Sequence, residues 1–379
     1  KHSHPAELVR FDPLTIIAAL SVTTKNIGLV STATTTYNEP FHLARKLLST
    51  DHLNGGRTGW NLVTSYYQEE ASNFSMKKHL DHSVRYQRAE EFVEVVKGLW
   101  NSWEDGAIIN NQESGKYFDE HKLHSLNYEG DYFSVKGPLN SSRSPQGQPV
   151  IVQAGSSDAG VSLASRTADV IFTAQQTLGD AQQFYKKVKA RVVEAGRSPD
   201  DVKIMPGISI YVAETELEAQ AKFNRMQDLI TPEVSIQILF EYLGEFDLSS
   251  YPLDGPLPDN IPETNGNKSR RKLLMDLAKR ENMTIRDLAK YVAGSRGHRT
   301  IIGTPVQIAD DMQNWFENQA ADGFNLMLPS YPDSLVDFVD LVVPELQKRG
   351  IFRKEYKGAT LRENLGLKSP LNYYEKVDT

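Results

Sequence analysis

Apolar positions along this chain follow two spacings in alternation. Short β-branched runs give way to longer stretches of helical period. "LTIIAALSVTT" (14–24) predicts a helix and "NIGLVSTATTT" (26–36) a strand. "PFHLARKLLSTDHL" (40–53) predicts a helix with Pro40 in its first turn, followed by a strand in "RTGWNLVTS" (57–65). A helix over about 83–102 sets Phe92, Val96, Leu99 and Trp103 on one stripe. The rhythm breaks over 104–147, which is polar and turn-rich, and resumes with "PVIVQAG", "SDAGVSLASRTA", "DVIFTA" and a helix over 179–196. "KIMPGISIYVA" and a helix over 214–230 follow. A second excursion, about 244–298, carries Pro, Asn and Gly ahead of a basic "KSRRKLL" helix. The chain closes with helix 305–318, strand "GFNLMLP" and helix 332–348, with Gly350 as its C-cap.

About six strand–helix units in series predict a parallel α/β sheet. A Rossmann sheet should show G-x-G-x-x-G after its first strand, and a nucleotide-triphosphate site should show a P-loop; the chain has neither. The expected fold is therefore a single (β/α)8 TIM-like barrel domain over 1–379, with the two excursions as insertions. A complete barrel has eight strands. The chain begins at Lys1 and not at methionine, so the remaining strands are expected ahead of it, where a signal peptide would also lie.

Composition narrows the function. The net charge is -7 over 379 residues, which argues against a basic nucleic-acid or anionic-membrane surface. No apolar run reaches the roughly 18 residues of a membrane span. Without cysteine there is no disulfide framework, thiolate metal site or cysteine nucleophile, and a cytoplasmic enzyme is the expectation.

Barrel chemistry sits at the C-terminal strand ends. Those ends hold Thr32–Thr36; Asn61, Thr64 and Ser65; Gly155, Ser156 and Ser157; Thr173; Ser209; and Leu328–Ser330. The set is rich in hydroxyls and amides, although the same residue types serve as helix caps and turns. In "QAGSSDAG" a strand ends at Gly155 and serines open a helix, an arrangement that suits a phosphate; the alternative is an ordinary serine cap, with Asp158 in the first turn. His82 and Tyr86 fall on one helical face, where both can donate to an anion. His79/His82 and His121/His124 form H-x-x-H pairs, but neither lies in H-E-x-x-H and no third ligand is evident. The adjacent Glu69 and Glu70 do not face each other as a glycosidase pair would.

The blocks "EPFHLARKLLSTDHLNGGRTGWNLVTS", "HSVRYQRAEEFVEVVKGLWNSWEDGA", "GPLNSSRSPQGQPVIVQAGSS", "GTPVQIADDMQNWFENQAADGFNLMLP" and "VVPELQKRGIFRKEYKGATLRENLGL" resemble the bacterial-luciferase-like flavin monooxygenases. The resemblance is to the branch of nitrilotriacetate monooxygenase component A, dibenzothiophene sulfone monooxygenase and long-chain alkane monooxygenase. It implies reduced FMN (FMNH2) supplied by a separate NAD(P)H:flavin reductase, O2 as co-substrate and a C4a-(hydro)peroxyflavin as oxidant. It places flavin contacts at Thr32, Asn61, His82, Tyr86 and Ser156, with Gly155 and Ser157 as neighbours. A family aspartate contact at an early strand end has no match here and belongs ahead of Lys1.

The substrate is expected to be a small organic molecule shaped by the two excursions, and the assembly a homodimer or homotetramer. The basic Lys268, Arg270 and Arg271 could attract a carboxylate substrate, but they read more readily as a solvated helix face, whereas His298 and Arg299 in "GSRGHRTIIGTP" read as closer to the barrel mouth. His298 is the expected catalytic contact. Competing readings are a deazaflavin-dependent oxidoreductase on the same barrel and a non-catalytic flavin-binding protein.

Overall fold

The computed structural model describes residues 10–264 and 268–375; the segment in which a leader or further strand end was expected lies outside them. Eleven strands occur among the described residues: β1 Leu29–Thr34, β2 Thr58–Val63, β3 Ile108–Asn111, β4 Lys116–Phe118, β5 Tyr128–Glu129, β6 Ser134–Val135, β7 Val150–Ala154, β8 Val170–Thr173, β9 Lys203–Val212, β10 Arg299–Gly303 and β11 Asn325–Leu326. Seven form one parallel sheet in the order β1-β2-β7-β8-β9-β10, with β11 also paired to β9. The first excursion supplies the two small antiparallel hairpins β3-β4 and β5-β6.

Helices follow the strands as their periodicity predicts, and they bury apolar stripes against the sheet. Pro40–Asn54 and His82–Trp100 enclose a core of Leu43, Leu47, Trp60, Phe92, Val96 and Leu99. Trp60 and Trp100 satisfy their indole N–H groups on the carbonyls of Ala33 and Ala44, so both rings are buried without an orphaned donor. Trp103 falls beyond the end of that helix and instead donates to Leu139. The Asn54–Arg57 turn after the first of these helices is pinned by Arg57, which donates to the carbonyls of Asn54, Ile27 and Thr24. That bonding accounts for the arginine in "NGGR".

Two expectations change. The single helix over 332–348 is Asp333–Asp337, a π-helical turn Phe338–Val342, and Val343–Lys348. Pro344 lacks an N–H and would clash with the carbonyl four residues back; the wider turn ahead of it relieves that conflict. The second excursion carries a second helix, Ile285–Ser295, beyond the basic Lys268–Arg280. With Pro232–Tyr242, which precedes the excursion, these share their own core of Leu239, Leu274, Leu277, Leu288 and Val292. This layer stands over the sheet's polar strand ends.

Candidate active site

A cleft of about 1140 Å³ opens between those strand ends and the helix Lys268–Arg280. It is lined by Thr32, His82, Tyr86, Gly155, Ser156 and Ser157, together with Ser65, Arg85, Phe172, Thr173, Gln176 and Arg270. Six of the residues singled out in the sequence thus meet on one cavity, although they come from two elements, β1 and the helix His82–Trp100, and the loop after β7. Asn61 sits in register with Thr32 across β1 and β2, and its amide donates to the Thr32 hydroxyl at 2.9 Å. The Asn61 carbonyl oxygen is buried and has no hydrogen-bond partner. A buried unsatisfied acceptor is costly, and a ligand donor would relieve it.

The loop after β7 is built for a close approach. Gly155 has φ +148, where an L side chain is strained. The Tyr86 hydroxyl stands over this turn: a Cβ at Gly160 would lie 3.3 Å from it. The helix Asp158–Thr167 is capped by Ser157, whose side chain accepts from the Gly160 N–H at 3.1 Å. Ser156 therefore precedes the cap and does not open the helix; its hydroxyl pairs with that of Thr173 at 3.0 Å. Asp158 turns to Lys187 at 2.7 Å, which holds its carboxyl below the usual range and offsets its charge at the helix start.

His82 and Tyr86 lie on adjacent turns with ring centroids 4.8 Å apart. Burial lowers the His82 pKa, and the nearby Arg85 and Lys268 add to the shift, so the imidazole is neutral at pH 7 and can donate from one nitrogen only. Arg85, also in the cleft lining, donates to the Leu80 carbonyl. His79 bonds Tyr37, and His124 pairs with Glu104 and stacks on Tyr374, so the two H-x-x-H motifs are divided among separate partners.

His298 stands one layer behind the cleft wall. It is 2% exposed, stacks on Phe172 with centroids 5.1 Å apart and meets Arg270 through Nε2 at 3.2 Å. Gly207 makes room for it, since a Cβ there would lie 2.4 Å from Nδ1. Nδ1 has no hydrogen-bond partner. Burial, with Arg270 and Arg296 nearby, pushes the His298 pKa down to about 3. Arg299 pairs with Asp311 and covers Trp315, away from the cleft lining.

The sequence reading passed over Arg85, Phe172 and Gln176, and it placed Arg270 on a solvated face. Arg85 had a legible signal, being one turn from His82 and beside Tyr86. Phe172 and Gln176 had none, because an aromatic strand residue and a loop glutamine are commonplace.

The residues present fit a phosphate-bearing flavin. Two serine hydroxyls, a phenol and an imidazole line one cavity, and neutral amide and hydroxyl groups stand on the strand ends. Comparison with known proteins gives the class. Residues 1–323 match the luciferase-like monooxygenase family, and the chain belongs to it. It is 59% identical over 375 residues to N-acetyl-S-(2-succino)cysteine monooxygenase of Bacillus subtilis, covering 99% of this chain and 85% of that protein. It is 53% identical to nitrilotriacetate monooxygenase component A of Aminobacter aminovorans, covering 96% and 81%. The crystal structure of a riboflavin lyase with modified FMN and riboflavin superposes with TM-score 0.86 at 34% identity, covering 96% and 80%. The protein is thus an enzyme, a flavin-dependent monooxygenase of the luciferase-like family.

Proposed function

We propose that this protein is the oxygenating component of a two-component system. Its parallel sheet is read as part of a single-domain (β/α)8 barrel. Reduced FMN from a separate NAD(P)H:flavin reductase binds in the cleft and supplies the two electrons that activate O2. One oxygen atom passes to a small organic substrate and the other leaves as water. The observation that carries this reading is that His82, Tyr86, Gly155, Ser156, Ser157 and Thr32 line one cavity, with the Tyr86 hydroxyl over the loop after β7.

Each residue has a role in the proposal. Ser156, Ser157 and Tyr86 hold the phosphate, and His82, neutral through burial, donates to the same group or the ribityl chain. Asn61 and Thr32 present neutral hydrogen-bonding groups to the ring edge. The name "component A" in one relative supports a separate partner protein. The relatives' substrates, a carboxylated thioether and an aminopolycarboxylate, together with the sulfone of another relative, set the range of substrates to try.

The test is a reductase-coupled assay under ¹⁸O2, with FMN, NADH and those substrates. Reductase-dependent product carrying one ¹⁸O atom supports the reading. Hydrogen peroxide as the sole fate of O2 with every substrate, or product formation without the reductase, would refute it.

A further inference from the structure

We propose that Arg270 is the anion-reading residue of the cleft, and that the substrate carries a carboxylate placed against its guanidinium beside Phe172. The inference deepens the proposed function and rests on it, because it assigns the substrate class of the same site.

The cleft-facing cations of the helix Lys268–Arg280 fall into two groups. Lys268, Lys272 and Arg280 stand at the rim, well exposed, and each meets an acidic side chain: Glu263 at 3.5 Å, Asp276 at 2.6 Å and Asp180 at 3.6 Å. Exposed pairs of this kind are screened and bind an added anion weakly. Arg270 points inward instead. Its guanidinium donates to the Gly297 carbonyl at 3.1 Å and meets His298 Nε2 at 3.2 Å, while it lines the cleft next to Phe172. Desolvation depresses its pKa, and the groups that act against that shift are the phenols of Tyr242, Tyr66 and Tyr291.

That surround favours an anion. A guanidinium presents five N–H donors in a planar fork, and here Gly297 and His298 are among its partners. The fork's shape matches a carboxylate bidentately. The support is also held in place. Gln176 donates to the Gly297 carbonyl at 2.7 Å, and the Tyr291 hydroxyl lies 2.8 Å from both the Gln176 side-chain oxygen and the His298 carbonyl. A half-buried fork held against a braced loop loses little freedom when it binds, which favours affinity. Tyr66 lines both this cleft and an adjoining cavity of about 450 Å³, so a second part of the substrate has room beyond the arginine.

The test uses binding and not turnover, so failure of the oxygenase reading and failure of this inference are separable. N-acetyl-S-(2-succino)cysteine, nitrilotriacetate and their fully methylated esters are titrated calorimetrically into the wild-type protein and into Arg270→Gln and Arg270→Lys. FMN is titrated in parallel to check that the site is intact. The expected result is that wild type binds at least one acid and discriminates against its ester. Arg270→Gln should weaken the acid roughly 10- to 100-fold and leave the ester and FMN unchanged, the range of a charge-assisted bond. Arg270→Lys should recover part of the loss, because it restores charge without the fork. Any of three results would overturn the inference: neither acid binds wild type, acid and ester bind wild type alike, or Arg270→Gln loses FMN along with the acid. Should Arg270→Gln fail to fold, Arg270→Lys decides: acid affinity equal to wild type contradicts the bidentate fork.

Discussion

Asn61 donates to Thr32 across β1 and β2 at 2.9 Å, and that bond leaves the Asn61 carbonyl oxygen buried without a partner. The pair is fixed by strand register, so its geometry costs the ligand nothing to arrange. Asn61→Ala is expected to weaken reduced-flavin binding by about 10-fold, the worth of one hydrogen bond in a buried site. The melting temperature should stay near wild type, since the substitution also removes the orphaned acceptor. An anaerobic titration checks the first outcome and a thermal scan the second.

Tyr86 and His82 line one cavity with ring centroids 4.8 Å apart, and if both hold the flavin as proposed their effects should be coupled. Single and double variants, Tyr86→Phe and His82→Ala, are expected to lose FMN affinity non-additively, with a coupling of about 0.5–3 kcal/mol. Riboflavin, which lacks the phosphate, should show far less. Strictly additive losses would mean that the two residues hold separate parts of the ligand.

His298 is expected to affect both product formation and stability. The sequence suggested a direct substrate contact with little structural role. Its burial between Phe172 and Gly207 adds a packing role, and so His298→Ala should lower the melting temperature as well as turnover. The pH dependence follows from sign. The folded pKa is about 3 and the ordinary value 6.5, so below pH 6.5 the unfolded chain takes up the proton and the folded one does not. Stability is then fully present above pH 6.5 and falls as the pH drops toward 3, with a slope of up to about 1.4 kcal/mol per pH unit. His298→Gln should remove this component, while those of His79 and His82, whose pKa values burial also lowers, remain. Denaturant titrations of both proteins between pH 7 and 4 measure the difference.

Arg362 tests the fold apart from the site. It forms a bidentate pair with Asp169 at 2.9 and 2.8 Å and also reaches the Gln148 carbonyl, clamping the C-terminal segment to the sheet. Arg362→Ala strands a buried carboxylate and should cost about 3–5 kcal/mol of stability. Substrate and FMN affinity at low temperature should be retained.

Much of the fold was legible because strand and helix have different apolar periods. Strands β1, β2, β7, β8 and β9 and the helices that follow them lie within a few residues of their expected positions. The short β11 was legible only as a longer run, because its apolar neighbours Met327 and Leu328 continue the pattern past the pairing. In the second excursion the basic "KSRRKLL" helix was legible and the helix Ile285–Ser295 was not; both pack with Pro232–Tyr242, which precedes the excursion, in a core separate from the sheet. At the site, small polar residues at strand ends could be read from sequence. Arg270 could be read only as one of three basic residues open to a carboxylate or to solvent, since its place in the cleft lining depends on how that helix packs over the strand ends.

The central claim is that the loop from Gly155 to Ser157, with Tyr86 above it, holds the phosphate of a reduced flavin. The most direct measurement is anaerobic titration of reduced FMN and reduced riboflavin into wild type and Ser156→Asp. The account expects wild type to bind reduced FMN at least about 10-fold more tightly than reduced riboflavin, and Ser156→Asp to lose that advantage while keeping its riboflavin affinity. Equal binding of the two flavins by wild type, or an unchanged FMN affinity in Ser156→Asp, would contradict it.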